Sequence, residues 1–272
     1  LRPRRLPGGI PAARAGDVRV AAAGDIACRG CAQASTEKEI RRRRHAAVLT
    51  LGDNAYPDGT EGQFARYYDP WWGRFKARTH PSPGNHEYHV PGAAGYFAYF
   101  GAAAHESGYY TFALRGWRLI SLNSNIAHGP ASAQTVWLRH VLHRVSNRCI
   151  LAYWHSPLRS SGTAHGDDRS VRPFWKALYH ARADIVLNGD EHDYERFART
   201  TPSGARTTAG IREFAVGTGG AGLYPFGAKE PGSQERILRH GVLMLRFASR
   251  SYSWSFRSVR DVVLDSGSTG CH

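Results

Sequence analysis

The chain has 272 residues, 42% of them hydrophobic, which is enough to bury one sizeable core, and it carries a formal charge of +14 with a pI near 10. No apolar run approaches the roughly 18–20 residues of a bilayer-crossing helix, which excludes a helical membrane anchor within this sequence. The positive charge is compatible with nucleic acid, a membrane surface or a phosphorylated substrate. Its carriers are overwhelmingly arginine, as a GC-rich genome produces unaided. They are scattered, and no helix-turn-helix, zinc-finger or RNA-binding signature accompanies them, so neither a dedicated nucleic-acid partner nor a membrane partner is expected.

In chain order, the opening LRPRRLPGGIPAARAGD lacks the apolar core of a signal peptide and is expected to be a flexible, already processed segment over residues 1–17, ahead of one domain over 18–272. VRVAAAGD (18–25), AAVLTLGD (46–53), RCILAYWH (148–155) and ADIVLNGD (183–190) read as buried strands that end on Asp or His. Helical patterns separate them. STEKEIRRRR has capping-box spacing from Thr36 to Glu39, and its arginine run 41–44 falls where cations complement a helix C-terminus. EGQFARYYDPWWGRFK is amphipathic but interrupted by Pro70, SAQTVWLRHVLHRV has helical periodicity, and VRPFWKALYHARA places Pro173 in a first turn. YYTFALRG and WRLISLNSN predict a hairpin turning at Arg115-Gly116, and IREFAVGTGG, HGVLMLRFAS and SYSWSFRSV predict further strands. The Gly- and Pro-rich stretch 217–233 reads as a long surface loop. Alternation early and strands late predict a layered α/β domain, its sheets packed between helices and its ligand groups gathered at the C-terminal strand ends.

Four cysteines, one nearly terminal, suggest disulfides in an exported protein. The expected pairs are Cys28–Cys31, closing a small loop, and Cys149–Cys271, tethering the tail. Half a zinc site or a redox pair at CRGC is the alternative. A second CxxC or CxxH is missing, and the pair follows a loop rather than opening a helix.

Five motifs carry chemistry: GDIA (24–27), GDNAY (52–56), GNHE (84–87), YWHSP (153–157) and GDEHDYER (189–196). Singly each is weak, but in series they supply oxygen and imidazole donors from five strand ends or loops. The series resembles the calcineurin-like metallophosphoesterases, and GDNAY, with a tyrosine three residues after the second aspartate and no histidine in the first motif, resembles the purple-acid-phosphatase-like branch. That resemblance implies a four-layer α-β-β-α sandwich with two mixed sheets. It also implies one metal held by Asp25, Asp53, Tyr56 and His192, and a second held by Asp53, Asn85, His155 and position 190, with Asp53 bridging.

Carboxylates and a phenolate suit a hard ion such as Fe(III), whereas imidazoles with amide and carboxylate oxygens suit Zn(II), Mn(II) or Fe(II). Two ions about 3.5–4 Å apart polarise a phosphoryl oxygen and activate hydroxide for in-line attack, with no covalent enzyme intermediate. His86 is then the group that hydrogen-bonds phosphoryl oxygens or protonates the leaving alkoxide, or else only orients its loop. His165, in the loop after YWHSP, is a second substrate-contact or acid candidate, a surface histidine being the plainer alternative. Tyr194 and Arg196 match the family pattern as buttresses of the site or as packing residues.

The departure is at 190. The family pattern is Gly-His-x-His, and here it reads Gly189-Asp190-Glu191-His192. Aspartate is shorter and adds a negative charge, which favours a harder ion such as Mn(II) or Mg(II) at the second site, or leaves that site incomplete. The implied activity is a secreted or periplasmic binuclear phosphatase acting on small phosphomonoesters. A phosphodiesterase on the same site and a noncatalytic phosphate- or polyanion-binding protein are the alternatives. No motif specifies the natural substrate or the oligomeric state.

Overall fold

A computed structural model describes residues 17–146 and 149–272; the N-terminal segment expected at 1–17 lies, apart from Asp17, outside the described residues. The apolar runs form strands where expected. β1 (Val18–Ala23), β2 (Ala47–Leu51) and β3 (Thr79–Ser82) run parallel. The hairpin β4 (Tyr110–Leu114) and β5 (Trp117–Ser121) turns at Arg115 and Gly116, both at positive φ, as a tight two-residue hairpin loop requires. β6 (Cys149–Tyr153), β7 (Ile185–Asn188), β8 (Tyr194–Thr200), β9 (Ile211–Val216), β10 (Ser233–Ile237), β11 (Gly241–Phe247), β12 (Ser251–Ser258) and β13 (Val263–Gly270) follow.

These strands make two mixed sheets, ordered β13-β12-β11-β1-β2-β3 and β10-β8-β9-β7-β6-β5-β4. Every residue of β2, β6 and β7 is buried, which explains their unbroken apolar character, since parallel strands covered on both faces cannot alternate. β12 instead alternates, and its aromatic side chains meet the other sheet. Phe256 stacks on Tyr194 at 4.0 Å between ring centroids, and Trp254 meets Phe214 edge-on at 5.7 Å. Trp117 stacks on Phe247 at 4.1 Å across the same interface. Each such pair adds about 0.5–1.5 kcal/mol beyond its area burial.

α1 (Gln33–Arg41) covers the outer face of the first sheet against β11 and β12. α4 (Ala133–Arg144) and α5 (Arg172–His180), following the one-turn α2 (Glu61–Gln63) and α3 (Ala94–Phe100), cover the outer face of the second. Leu138, Phe174, Trp175 and Leu178 there pack on Ile120, Ile150, Ala152 and Val186. The architecture is the expected helix–sheet–sheet–helix sandwich. Both expected disulfides, Cys28–Cys31 and Cys149–Cys271, are formed.

Two local expectations fail, and the break expected at Pro70 is wider than a kink. α1 starts at Gln33 with no side-chain cap, so Thr36 is not an N-cap; it lies inside the helix, where its hydroxyl donates to the Gly219 carbonyl and accepts from Trp72 Nε1. The capping box is instead at Thr60 and Gln63. Residues 61–78 do not make one helix: α2 passes into a π-turn (64–68) and, beyond Pro70, a 3₁₀ segment (72–78), which keeps Phe64, Tyr68, Trp72 and Phe75 all buried. The stretch 217–233 is irregular up to β10, but its first five residues are buried rather than on the surface.

Candidate metal centre

Asp25, Asp53 and Asp190 each follow a glycine that ends a parallel strand, and all three hold the left-handed backbone conformation, with φ of 60°, 48° and 74°. Aspartate is among the few side chains that tolerate this region, and such residues concentrate where a fold aims side chains at a ligand. The turns also demand close approach. A Cβ at Gly84 would sit 2.1 Å from Asp53 Oδ1, and one at Gly189 would sit 2.7 Å from Asp25 Oδ2. Asn85 and His86 follow β3, and His155 follows β6, so both sheets deliver groups to one place.

The donors fall into two groups. In the first, Tyr56 Oη lies 2.9 Å from Asp25 Oδ1 and 3.0 Å from His192 Nε2, and His192 Nε2 lies 3.3 Å from Asp25 Oδ1. In the second, His155 Nε2 lies 2.9 Å from Asn85 Oδ1, 3.5 Å from Asp53 Oδ2 and 3.4 Å from Asp190 Oδ1. Asp25, Asp53 and His155 each place an atom within 4.8 Å of the others, which links the groups. His86 stands at the mouth. Its backbone N–H donates to Asp53 Oδ1 at 3.0 Å, and its Nε2 is 3.7 Å from Asp53 Oδ2. His165, on the opposite side, reaches to 3.6 Å from Asp190 Oδ1. The nine residues expected to hold metal or to meet substrate are therefore brought together.

Three of the imidazoles share one orientation. Nδ1 of His155 donates to the Leu51 carbonyl at 2.8 Å, that of His192 to Gly222 at 2.5 Å, and that of His86 to Pro57 at 2.5 Å. Each backbone carbonyl fixes a tautomer and leaves Nε2 facing the centre, as histidines that ligate metals, here candidates His155 and His192, require. The inner end thus gathers carboxylate, phenol and amide oxygens and imidazole Nε2 atoms at short range, with Tyr56 Oη and two backbone N–H groups bonded to its carboxylates. Carboxylates and imidazoles this close in a buried space share either protons or a cation, and this set of oxygen and nitrogen atoms fits divalent and trivalent ions.

The ionisation pattern reflects the same crowding. Burial raises the Asp53 carboxyl, but the His155 and His86 imidazoles overcome it and bring its pKa down to about 2. Burial likewise lowers the His155 imidazole, and Asp53 and Asp190 push it well above its ordinary value. Burial, Asp25 and Asp53 together raise the Tyr56 phenol well above 10. An adjacent cation reverses that last effect and favours phenolate.

Sequence reasoning missed the supports. Buried Glu87 accepts the N–H groups of Asn54 (2.8 Å), Ala55 (3.2 Å) and Gly84 (2.7 Å), stitching the Asn85 loop to the Asp53 loop; burial first and Asp53 second raise its pKa to about 8. Buried Glu191 accepts from the backbone of His165 and Gly166, both at 2.5 Å. Tyr224 stacks on His192 at 4.0 Å. Glu87 and Glu191 were visible as acids inside two of the motifs; Tyr224 left no signal. Tyr194 and Arg196 do not touch the centre. Their hydroxyl and guanidinium donate to Asp265 of β13, each at 2.7 Å, and Trp254 Nε1 joins them at 3.0 Å, so they bind the two sheets to each other.

The model of the calcineurin-like phosphoesterase family matches residues 18–194. Purple acid phosphatase 15 of Arabidopsis thaliana is 28% identical over 236 residues, covering 72% of this chain and 43% of that protein. Purple acid phosphatase 18 of the same plant is 28% identical over 227 residues, covering 75% and 50%. The chain spans about half the length of these relatives or less. Among solved structures, purple acid phosphatase PPD1 from yellow lupin (Lupinus luteus) seeds superposes with a TM-score of 0.77 at 18% identity, covering 93% of this chain and 54% of that one. GAP50, the anchor in the inner membrane complex of Plasmodium, superposes with a TM-score of 0.73 at 12% identity, covering 94% and 89%. Both share the fold.

Proposed function

The chain belongs to the calcineurin-like phosphoesterase family, and on that footing we propose that residues 18–272 form one phosphatase domain that hydrolyses small phosphomonoesters at a two-metal site. The observation that carries this reading is the convergence of candidate ligands: Asp25, Tyr56 and His192 on one side, Asn85, His155 and Asp190 on the other, with Asp53 adjoining both. Asp25, Asp53, Tyr56 and His192 would hold Fe(III), and Asp53, Asn85, His155 and Asp190 would hold Zn(II), Mn(II) or Fe(II). Ions bound there supply the positive charge that acidifies water and withdraws electrons from a phosphoryl group.

The chain's own residues do the remaining work. Of the two imidazoles that the sequence offers for contact with substrate, His86 is the better placed. Its Nδ1–H is committed to the Pro57 carbonyl, so a second proton, taken up as imidazolium, sits on Nε2, where it can meet a phosphoryl oxygen or pass to the leaving alkoxide. Burial of Asp25, Asp53, His155 and His192 keeps bulk water from the inner end and raises the effect of every charge in it. Two disulfides support an extracellular or periplasmic setting, and among the described residues no helix is long and apolar enough to cross a membrane.

The test compares p-nitrophenyl phosphate with bis(p-nitrophenyl) phosphate, with and without chelator. Faster cleavage of the monoester, abolished by chelation and restored by metal, is expected. Faster turnover of the diester would replace the monoesterase assignment, and phosphate binding without turnover would leave a binding protein.

A further inference from the structure

The geometry points to His165 as a metal ligand, supplied from a loop in place of the histidine absent at position 190; this rests on the two-metal reading above. A strand-end histidine would reach the second ion from position 190. Asp190 is fixed there by its left-handed backbone and by its N–H, which donates to Asp25 Oδ2 at 3.0 Å, and its side chain is shorter than an imidazole. His165 approaches the same carboxylate from its own loop, with Nδ1 3.6 Å from Asp190 Oδ1. His155 Nε2 lies 3.4 Å from the same oxygen and 3.5 Å from Asp53 Oδ2. These separations exceed the roughly 2.9 Å of a hydrogen bond. They fall in the range set by a shared ion, because five donors bound to one ion at about 2.0–2.1 Å stand roughly 2.9–3.6 Å apart.

The position of His165 is built. Glu191, the residue after Asp190 and fully buried, accepts the N–H groups of both His165 and Gly166. Glu195 accepts the backbone N–H of Ser161 at 2.7 Å and its hydroxyl at 2.5 Å. A Cβ at Gly162 would sit 2.2 Å from Glu191 Oε2, so the loop approaches this closely only as glycine. Glu191, beside Asp190, and Glu195, in β8, are therefore the carboxylates that hold the loop bearing His165. With His165 the second site has two imidazoles, from His155 and His165, beside the oxygens of Asp53, Asn85 and Asp190.

The test strips the full chain of metal and titrates it with Co(II), reading stoichiometry, affinity and the visible d–d spectrum rather than turnover. The native protein is expected to bind two equivalents. His165→Ala should keep the first, which also reports that the fold is intact, and weaken the second about 10- to 100-fold with a changed spectrum. Adding Asp190→His to His165→Ala should restore the second equivalent. If His165→Ala binds both equivalents with native affinity and spectrum while only turnover falls, His165 contacts substrate and the inference is overturned, with the two-metal reading intact. If the native protein binds fewer than two equivalents, the two-metal reading itself fails and the inference with it.

Discussion

The two halves of the candidate centre are built to different standards of enclosure. Asp25, Tyr56 and His192 are 0%, 9% and 4% exposed, His192 is covered by the Tyr224 ring, and its Nδ1 is held by the Gly222 carbonyl. On the other side His155 is buried, but Asn85 and Asp190 are half-buried and His165 lies in the open. The difference teaches where change is tolerated. In the closed half each of these side chains is fixed by neighbours from both sheets, so a substitution there disturbs packing as well as chemistry. The open half faces solvent, so fewer packing contacts constrain its side chains.

The largest expected effect comes from the residue that joins the halves. Asp53→Asn should empty both metal positions and cut kcat/KM for p-nitrophenyl phosphate by at least about a hundredfold, with metal content measured in parallel. Loss of one ion alone would show that Asp53 serves a single half. Glu87→Ala comes next, because it leaves three buried N–H groups unpaired around Asn54, Ala55 and Gly84. At about 1–3 kcal/mol for each, thermal or urea unfolding should show a loss of several kcal/mol. Metal affinity in the open half should fall about 10- to 100-fold as the Asn85 loop detaches. Tyr224→Ala is the mildest: losing the stack on His192, worth about 0.5–1.5 kcal/mol, should weaken the closed-half ion about two- to tenfold and leave the second titration step in place. An equal loss in both steps would erase the distinction between the halves.

Much of this was legible because in a parallel sheet the ligand and the strand that aims it are contiguous. Gly24-Asp25, Gly52-Asp53, His155 and Gly189-Asp190 announce strand and ligand in one short run, and buried parallel strands write themselves as apolar runs. The second sheet's hairpin was legible for a similar reason, since Arg115-Gly116 encodes its own turn. What escaped depends on segments that meet only after folding. Thr36 has the spacing of a capping box, yet its hydroxyl is taken by Gly219, 183 residues away. Glu191 looks like one more acid in an acidic run until the His165 loop folds onto it. Tyr224 sits in a stretch whose glycines signal a surface loop, while the start of that stretch is buried beside Asp25, with the Ala221 N–H donating to the Asp25 carbonyl at 2.9 Å. Periodicity cannot report such pairings, because nothing local distinguishes a buried partner from a solvated one.

The central claim, two ions in chemically distinct halves with a phenolate in the closed one, is tested most directly by metal analysis combined with a visible spectrum of the native protein and of Tyr56→Phe. Two ions per chain, one of them iron, with a charge-transfer band that Tyr56→Phe abolishes, is the predicted result. A colourless, iron-free protein that still hydrolyses p-nitrophenyl phosphate would contradict it.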